Sequence, residues 1–483
     1  MTLSLVSRRI ASPAAERADR RSGLFILRER MALAIVLIVV ALAPLPFGSQ
    51  DLWAIACWDT ALGAALLLVP FGGLARVQRL LLIVLFGFAA VWALVIWEQV
   101  VRPPDLPSLV NPIWADASQI LGLKRLPIIS ISDGRPVLAA GKPLAVVLAL
   151  ACSFTLAQDA TVARRILLVV AGSGVVYASY GIVSFAVDPT LVLGQTKEAY
   201  QSVLTATFIN RNTAAAYFGT CAVVWLMLVC RRVRQLSSRQ IDRETVKLVL
   251  AHPTPALALS LAAMLIVLAA MFMTGSRAGV LLSLGACAVG FLSYFRRDLN
   301  SRSTGWIAIA WILGTILLIW QLLGAGISER IEQQGFMDLG RVEAYRSTLA
   351  MIHDYPWLGM GAGTFEWAFP QYRSPVISTW GTWDKAHNTL LEIAAEYGIP
   401  VATLTLLGWL IMFAVLIRGI RVRSRGLMFP ATGLAIAFLS GLHSMVDFPL
   451  QVPGYAIVAF TIIGTCMAQS FDRNERRPDR YKP

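Results

Sequence analysis

Long apolar runs dominate this chain and restrict the folds it can adopt. About twelve segments are apolar over roughly the 20 residues that a helix needs to cross a bilayer. The chain of 483 residues is 57% hydrophobic and 14% charged, whereas about a quarter of a soluble domain is charged. The sequence therefore predicts an all-α, polytopic integral membrane protein. The predicted spans lie near 31–48, 52–70, 79–97, 139–158, 165–186, 213–230, 255–274, 278–295, 305–325, 398–417, 428–443 and 453–469.

Basic residues outnumber acidic ones and give the chain a net charge of +14. In a soluble protein this charge would suggest nucleic-acid binding, but here Lys and Arg cluster beside apolar runs, as at 231–234 and 418–425. Such clusters are typical of the cytoplasmic flanks of membrane helices. The pattern predicts both termini in the cytoplasm and no nucleic-acid partner. No cleavage site follows the first apolar run, so we expect this run to stay as an anchor.

The predicted topology divides the chain into five parts. The first two spans depart from a continuous apolar run, because Pro44 and Pro46 interrupt one and Asp59 lies in the other. The longest polar segment is a large loop outside the cytoplasm. The five parts are a basic cytoplasmic N-terminus at 1–30, nine spans in 31–325, the large loop at 326–397, three spans in 398–469 and a basic cytoplasmic tail at 470–483.

Two helices and a glycine-rich turn are predicted inside the large loop. A helix at 341–353 and another at 386–397 each place apolar residues on one face at helical spacing. Between them, glycines at alternate positions force a tight backbone path. The apolar faces are Val342, Tyr345, Leu349 and Ile352 in the first helix and Leu390, Ile393, Ala394 and Tyr397 in the second, and the glycines are Gly359, Gly361 and Gly363.

Two arginines are expected at the level of the membrane surface. Arg277 stands in a tight turn between two spans, where an arginine is costly and is usually paired or functional. It is either an interfacial arginine or part of an anion site, since a guanidinium fork matches phosphate oxygens. Arg211 lies between Asn210 and Asn212 just before another span. A helix cap by Asn212 or Thr213 would leave Arg211 incidental, whereas a second phosphate ligand would also use the backbone donors of the helix start.

His387 is the candidate base of the large loop. The chain has 4 histidines, and histidine suits proton transfer near neutral pH; the alternative is a packing or helix-start histidine. His353, beside Asp354, is interpreted as an ordinary surface residue. Arg341 and Arg346 either line the same site or lie on a solvated helix surface.

Metal and nucleotide chemistry are weakly supported by the sequence. Asp384, His387 and Glu392 are close in sequence, but a metal site needs at least three converging ligands. The six cysteines lack zinc-ligand spacing. The cytoplasmic loops contain no glycine-rich phosphate loop, which argues against an ATP-driven pump. We therefore expect neither a metal nor another cofactor.

The order of these motifs resembles the bacterial O-antigen ligase and O-antigen polymerase family. The resemblance covers roughly 170–420, and the remaining spans match only as a hydropathy pattern. Each motif is short, but their order and their shared side of the membrane make the set specific. The matching stretches are FINRN at 208–212, SRAG at 276–279, GR at 340–341 with Arg346, YPWLGMGAGTF at 355–365, HNTLL at 387–391 and EYG at 396–398.

The resemblance implies a GT-C-like membrane enzyme that transfers glycans from a polyprenyl diphosphate carrier. The acceptor would be lipid A-core for a ligase or the growing glycan for a polymerase, at the periplasmic face of the inner membrane. Arg211 and Arg277 are similar to the family's diphosphate-binding arginines, and His387 is similar to its catalytic histidine. Arg341, Arg346 and Asn388 are implied as possible donor or acceptor contacts.

Several alternatives stay open at this point. Ligase, polymerase and protein-glycosylating members share the architecture, so the acceptor is undecided. An in-line attack would invert the anomeric centre without a metal. A transporter or flippase of lipid-linked glycans is a different class that also fits about twelve spans. It would predict charged residues at the bilayer midplane and two related halves of the chain.

Overall fold

The computed structural model describes residues 13–102, 104–122, 127–236, 253–297, 339–377 and 382–471. Regular structure in these residues is helical apart from a short antiparallel hairpin, β1 (Leu191–Val192) with β2 (Gln195–Thr196). The predicted all-α class is therefore confirmed, with this small exception. The ninth predicted span, near 305–325, lies outside the described residues.

The helices follow the predicted spans closely. Those of the first half are α1 (Pro13–Leu42), α2 (Leu52–Leu68), α3 (Arg76–Val100), α4 (Ile113–Leu121), α5 (Arg135–Ala139), α6 (Gly141–Leu156), α7 (Ala160–Val187) and α8 (Arg211–Leu236). Those of the second half are α9 (Pro255–Met273), α10 (Arg277–Phe295), α11 (Leu339–Asp354), α12 (Phe365–Tyr372), α13 (Thr389–Tyr397), α14 (Ile399–Val422), α15 (Met428–His443) and α16 (Pro453–Ala468). Short 3-10 turns occur at Phe47–Ser49, Phe71–Gly73, Pro107–Leu109 and Pro449–Gln451.

Seven described segments are long and apolar enough to cross a membrane, namely α3, α5 with α6, α7, α8, α9, α10 and α14. Helices α2, α15 and α16 are apolar but shorter. The first predicted span is wrong in its end, because α1 stops at Leu42 instead of continuing to residue 48. Pro44 and Pro46 follow, and proline cannot continue a helix. The total of about twelve spans and the GT-C-like arrangement stay predictions.

Helix α8 is the central element of the bundle. In the most apolar 18-residue stretch of α8, 89% of the residues are buried, whereas the corresponding share is 17% in both α3 and α14. Small residues let it approach α10 closely. A Cβ on Gly219 would lie 1.8 Å from the Ser283 Oγ, and a Cβ on Gly279 would lie 2.5 Å from the Ala215 Cβ. The two helices therefore begin side by side, with Arg211 and Arg277 as their first residues.

The large loop has a small apolar core of its own, formed by α11, α12 and α13. Helix α11 confirms the predicted helix. Of its predicted apolar face, Ile352 is buried in the loop core, whereas Leu349 is 52% exposed. Ala344, Thr348 and Met351 are buried as well. Helix α13 buries Tyr397 as expected.

The glycine-rich turn confirms the predicted tight path. Gly359, Gly361 and Gly363 have φ values of 68°, 117° and 67°, a region that disfavours other residues. A Cβ on Gly361 would lie 2.0 Å from the Ser130 Oγ. The turn therefore packs directly against the segment before α5.

A buried glutamine fastens this turn to the membrane helices. Gln99, near the end of α3, donates to the backbone oxygens of Leu358 at 2.6 Å and Glu396 at 2.7 Å. Its Oε1 accepts from the Ala362 backbone N at 3.0 Å. The loop core is thus held at the end of the bundle where α3 ends and α14 begins.

Candidate active site

Asp447 is the centre of the candidate site. It lies in the turn between α15 and α16, and its side chain is 2% exposed. Its Oδ1 lies 3.4 Å from the His387 Nδ1 and accepts from the Phe448 backbone N at 2.8 Å. Its Oδ2 accepts from the Asn212 Nδ2 and lies 3.5 Å from the Arg341 Nη2. One carboxylate therefore joins the large loop to the start of α8.

The surroundings of Asp447 favour its ionised form. Burial alone would raise the pKa of Asp447, but the nearby imidazole of His387, the charge of Arg341 and the Phe448 backbone N–H lower this pKa below its usual range. Each of these groups interacts more strongly with the anion than with the neutral acid. Asp447 is thus a buried anion that is compensated by donors from other segments.

His387 is held in an unusual backbone conformation. Its φ is +54°, a value that is uncommon outside glycine and costs about 1–3 kcal/mol. The Tyr345 hydroxyl, on α11, donates to the His387 carbonyl at 3.1 Å. The rings of Trp383 and Phe448 lie edge-on to the imidazole, at centroid distances of 5.5 and 5.2 Å. The ring is thereby fixed between two aromatic walls.

The residues after His387 tie it to the turn that carries Asp447. The Asn388 Oδ1 caps α13 by accepting from two backbone N–H groups, and its Nδ2 donates to the Met445 oxygen at 3.0 Å. The Thr389 backbone N donates to the Ser444 oxygen at 2.8 Å. This is why α13 begins at Thr389 and not at 386 as predicted. Asn388 is used in positioning, and its role as a substrate contact stays a prediction.

The pairing with Asp447 determines which imidazole nitrogen can act as a base. A carboxylate accepts hydrogen bonds and cannot donate them when ionised. The buried Nδ1 of His387 faces this carboxylate, so Nδ1 is assigned the proton. The basic lone pair is then on Nε2, and the side chain is 23% exposed. The site therefore holds an imidazole that Asp447 orients, with Nε2 as the nitrogen that can accept a proton.

Arg211 is the first residue of α8, and the cap of this helix differs from the prediction. The Asn210 Oδ1 accepts from the backbone N of Asn212 at 2.7 Å and of Thr213 at 3.1 Å. Of the two alternatives left open for this segment, the one with a helix cap named the wrong residues, because Asn210 and not Asn212 or Thr213 caps α8. Asn210 satisfies the orphan donors of the first turn, and the Asn212 amide is left to bind Asp447.

Arg277 is the first residue of α10 and is exposed. Ser276 caps this helix by accepting from the Gly279 backbone N at 3.2 Å, and its hydroxyl donates to the Asn212 Oδ1 at 2.7 Å. Both arginines thus begin neighbouring helices whose starts are joined by a buried hydrogen bond. Helix N-termini of this kind favour an anion.

Tyr200 belongs to the same electrostatic environment, although the sequence did not single it out. The Arg211 Cζ lies 5.3 Å from the centre of the Tyr200 ring, within the range of a cation–π contact. Burial and the charge of Asp447 raise the pKa of Tyr200, while Arg211 and Arg341 oppose this shift. The hydroxyl therefore stays protonated near the arginine.

The structure separates the two arginines of α11. Arg341 reaches the site, where its Nη1 donates to the Val446 oxygen at 2.9 Å beside its contact with Asp447. Arg346 is 71% exposed and pairs with Glu343 of its own helix at 2.5 Å. Arg341 therefore belongs with the site residues, whereas Arg346 is not brought to Asp447.

Acidic residues of α13 support the segment before His387. Glu392 is 6% exposed, and its carboxylate accepts from the Ala386 backbone N at 2.8 Å and lies 3.9 Å from the Lys385 Nζ. Burial and the charge of Glu392 raise the pKa of the neighbouring Glu396 to about 7. In the described part of the chain, no group of three or more His, Cys, Asp or Glu residues is arranged to hold a metal ion.

Asp447 is the main residue that the sequence interpretation missed. It was assigned no role from the sequence. A usable signal was present, because the segment 443–452 contains no Lys or Arg. A carboxylate buried there must find its cation in another segment, since an unpaired buried charge is very costly.

Part of the chain matches a known protein family. Residues 262–406 match the model of a family described as O-antigen ligase. This part of the chain is similar to an O-antigen ligase domain. The predicted resemblance is therefore confirmed, and with its apolar helices the chain is a membrane protein of a glycan-transferring, surface-polysaccharide class. The match includes Arg277, Arg341, Arg346, His387 and Asn388, while Arg211 and Asp447 lie outside it. No individually curated protein matches the chain.

Proposed function

We propose that this O-antigen ligase domain protein transfers a glycan from a polyprenyl diphosphate carrier to an acceptor hydroxyl. The reaction takes place at the periplasmic face of the inner membrane. The observation that carries the proposal is the position of Asp447. It binds the base His387 on one side and Asn212, beside Arg211, on the other. Residues from distant parts of the sequence thereby form one proton-accepting and anion-binding site.

Arg211 and Arg277 bind the diphosphate of the donor. The carrier's tail lies in the bilayer, so its diphosphate must sit at the membrane surface, where α8 and α10 begin. Each guanidinium offers a planar pair of donors to phosphate oxygens, and the two helix starts add backbone N–H groups. Because these donors are in place before the reaction, each stabilises the leaving group by about 10²–10³ in rate.

His387 accepts the proton of the attacking hydroxyl. The acceptor oxygen forms a bond to the anomeric carbon as the bond from that carbon to the diphosphate oxygen breaks. The bonding electrons leave with the diphosphate, and the hydroxyl proton moves to the His387 Nε2. General-base catalysis of this kind contributes about 10²–10⁴. Asp447 stabilises the imidazolium that forms.

The reaction requires no further energy source or cofactor. Cleavage of the glycosyl diphosphate bond supplies the free energy, so neither ATP nor a nucleotide sugar enters the scheme. Attack from the face opposite the diphosphate inverts the anomeric centre. No metal ion enters this scheme, because the arginines supply the positive charge.

The acceptor decides between related activities. A ligase would use lipid A-core, a polymerase would use a second carrier-linked glycan, and a protein-glycosylating enzyme would use a polypeptide. The same base and the same leaving group serve all three. The O-antigen ligase match gives no support to the alternative of a transporter.

Transfer by the purified protein in lipid tests the proposal. The wild type, supplied with a polyprenyl-diphosphate-linked glycan and an acceptor, should form product. His387→Ala and Arg277→Ala should insert normally and lose at least about 10² in rate. His353→Ala is the matched control, because His353 is 89% exposed and has its own aspartate, Asp354, at 3.2 Å. Full activity of His387→Ala would remove this residue from the mechanism.

Parallel incubations settle the finer points. Lipid A-core, a carrier-linked repeat unit and a peptide are offered separately, and the acceptor that gains glycan defines the activity. NMR of the product linkage tests inversion, because retention would contradict a single in-line displacement. A chelator in the assay tests metal independence. If the chelator lowered the rate and added metal restored it, metal independence would be contradicted.

A further inference from the structure

The Asn212 side chain bridges two parts of the site. Its Nδ2 donates to the Asp447 Oδ2, and its Oδ1 accepts from the Ser276 Oγ at 2.7 Å. Asn212 is 8% exposed, Asp447 2% and Ser276 1%. The three residues are brought together from α8, from the turn after α15 and from the start of α10. The bridge is therefore a buried tertiary contact between three segments.

Chemistry allows one direction of hydrogen bonding through this bridge. The ionised Asp447 can accept but cannot donate, so Asn212 must present its nitrogen to it. The Ser276 Oγ already accepts from the Gly279 backbone N, and its single hydroxyl hydrogen remains for the Asn212 oxygen. A flipped amide would place an oxygen against the carboxylate. Because the Asp447 carboxylate can only accept, the orientation of the Asn212 amide is fixed.

We infer that Asn212 is a positioning residue that aligns the base with the diphosphate site. By binding the Asp447 Oδ2, it leaves Oδ1 facing the His387 Nδ1. By binding Ser276 as well, Asn212 fixes the position of the Asp447–His387 pair relative to the helix starts that carry Arg211 and Arg277. The inference rests on the proposed function. In it, the uncharged side chain of Asn212 couples proton transfer at His387 to stabilisation of the leaving group.

Other charged and titratable groups near Asp447 do not replace this contact. Arg341 approaches the same Oδ2 at 3.5 Å, which is longer than a good hydrogen bond. Tyr200 interacts with Asp447 through charge. His443 precedes Asp447 on α15 and is buried, and the structure describes no hydrogen bond to either of its ring nitrogens. Asn212 is therefore the close side-chain donor to Oδ2.

Substitution of Asn212 should lower turnover without weakening donor binding. Asn212→Ala removes the donor, and Asn212→Asp sets a second carboxylate against Asp447. Loss of a hydrogen bond to a charged group corresponds to about 10–150-fold in rate, and we expect this loss in kcat. The KM for the lipid-linked donor should stay unchanged, because the arginines remain. Asn111→Ala is the control, since Asn111 is also buried and its Oδ1 accepts from the Ile113 backbone N at 3.1 Å, away from the site.

An exchanged pair separates positioning from folding. In the double variant Asn212→Asp with Asp447→Asn, residue 447 can donate to residue 212, but the negative charge has moved away from His387. Thermal stability should return towards that of the wild type while kcat stays low. If kcat recovered together with stability, Asn212 would have a merely structural role and the inference would fall.

The outcomes distinguish this inference from the proposed function. If the wild type transfers glycan and Asn212→Ala matches it in kcat, the positioning role alone is overturned. If the wild type transfers no glycan from a carrier-linked donor to any of the three acceptors, the proposed function itself fails. A low kcat with an unchanged KM in Asn212→Ala, beside a normal Asn111→Ala, supports both.

Discussion

Replacing Asp447 with asparagine removes the charge at the centre of the site and keeps its shape. In the described part of the chain, the polar groups that contact this carboxylate are donors, namely the His387 Nδ1, the Phe448 backbone N, the Asn212 Nδ2 and the Arg341 guanidinium. The new amide nitrogen must therefore face a donor, whichever way the amide is turned. We expect this mismatch to cost about 1–3 kcal/mol of folding stability.

The effect on the reaction follows from the distance between the charges. At 3.4 Å, with an effective dielectric constant of about 20, a full charge pair is worth about 5 kcal/mol. If about half a proton is transferred in the transition state, the loss is about 2.5 kcal/mol, or roughly 70-fold in rate. The corresponding change in a serine protease costs about 10⁴, because the imidazole also loses its tautomer. We therefore expect kcat of Asp447→Asn to fall by about 10²–10⁴.

The assay is steady-state transfer from a carrier-linked glycan, with kcat and the donor KM measured separately on folded protein in lipid. Asp354→Asn is the matched control, because Asp354 contacts an exposed histidine of the same loop at 3.2 Å. A folded Asp447→Asn protein with the kcat of the wild type would refute the argument that this carboxylate stabilises the imidazolium.

Three further predictions concern the surroundings of the site. Tyr200→Ala should raise the donor KM by about 2–30-fold, because a cation–π contact to Arg211 is worth about 0.5–2 kcal/mol, whereas Tyr200→Phe, which keeps the ring, should bind donor normally. Gly361→Ala should lower the unfolding temperature sharply, since its Cβ would lie 2.0 Å from the Ser130 Oγ at a φ of 117°; an unchanged melting curve would contradict the tight turn. The pKa of Glu396 is raised to about 7 by burial and by a neighbouring carboxylate, so its stabilising contribution is complete at acid pH and is lost as the pH rises through 7. The free energy of unfolding, measured between pH 5 and 8, should therefore fall with rising pH for the wild type and change less for Glu396→Gln.

Local patterns in the sequence predicted what depends on local physics. The apolar runs predicted the membrane helices, because a bilayer demands about 20 apolar residues wherever a helix crosses it. Pro44 explains why α1 ends early. The alternating glycines predicted a turn with positive φ values, which Gly359 and Gly361 adopt. His387 was identified because histidine is rare in this chain and suited to proton transfer.

Contacts between distant segments could not be predicted in this way. The bond from Asn212 to Asp447 joins residues 235 positions apart, and no spacing rule relates them. Leu349 shares the predicted apolar face of α11 with the buried Ile352 but is 52% exposed, because burial depends on what the rest of the chain packs against the helix. Arg341 and Arg346 looked equivalent, and their difference arises because only the first points to the turn of Asp447.

A double-mutant cycle between His387 and Asp447 tests the central claim most directly. The rate of glycan transfer is measured for the wild type, for His387→Ala, for Asp447→Asn and for the double variant. If the two side chains act as one proton-accepting unit, Asp447→Asn will cause almost no further loss once His387 is absent. Losses that multiply in the double variant would show that the residues act independently and would contradict the account.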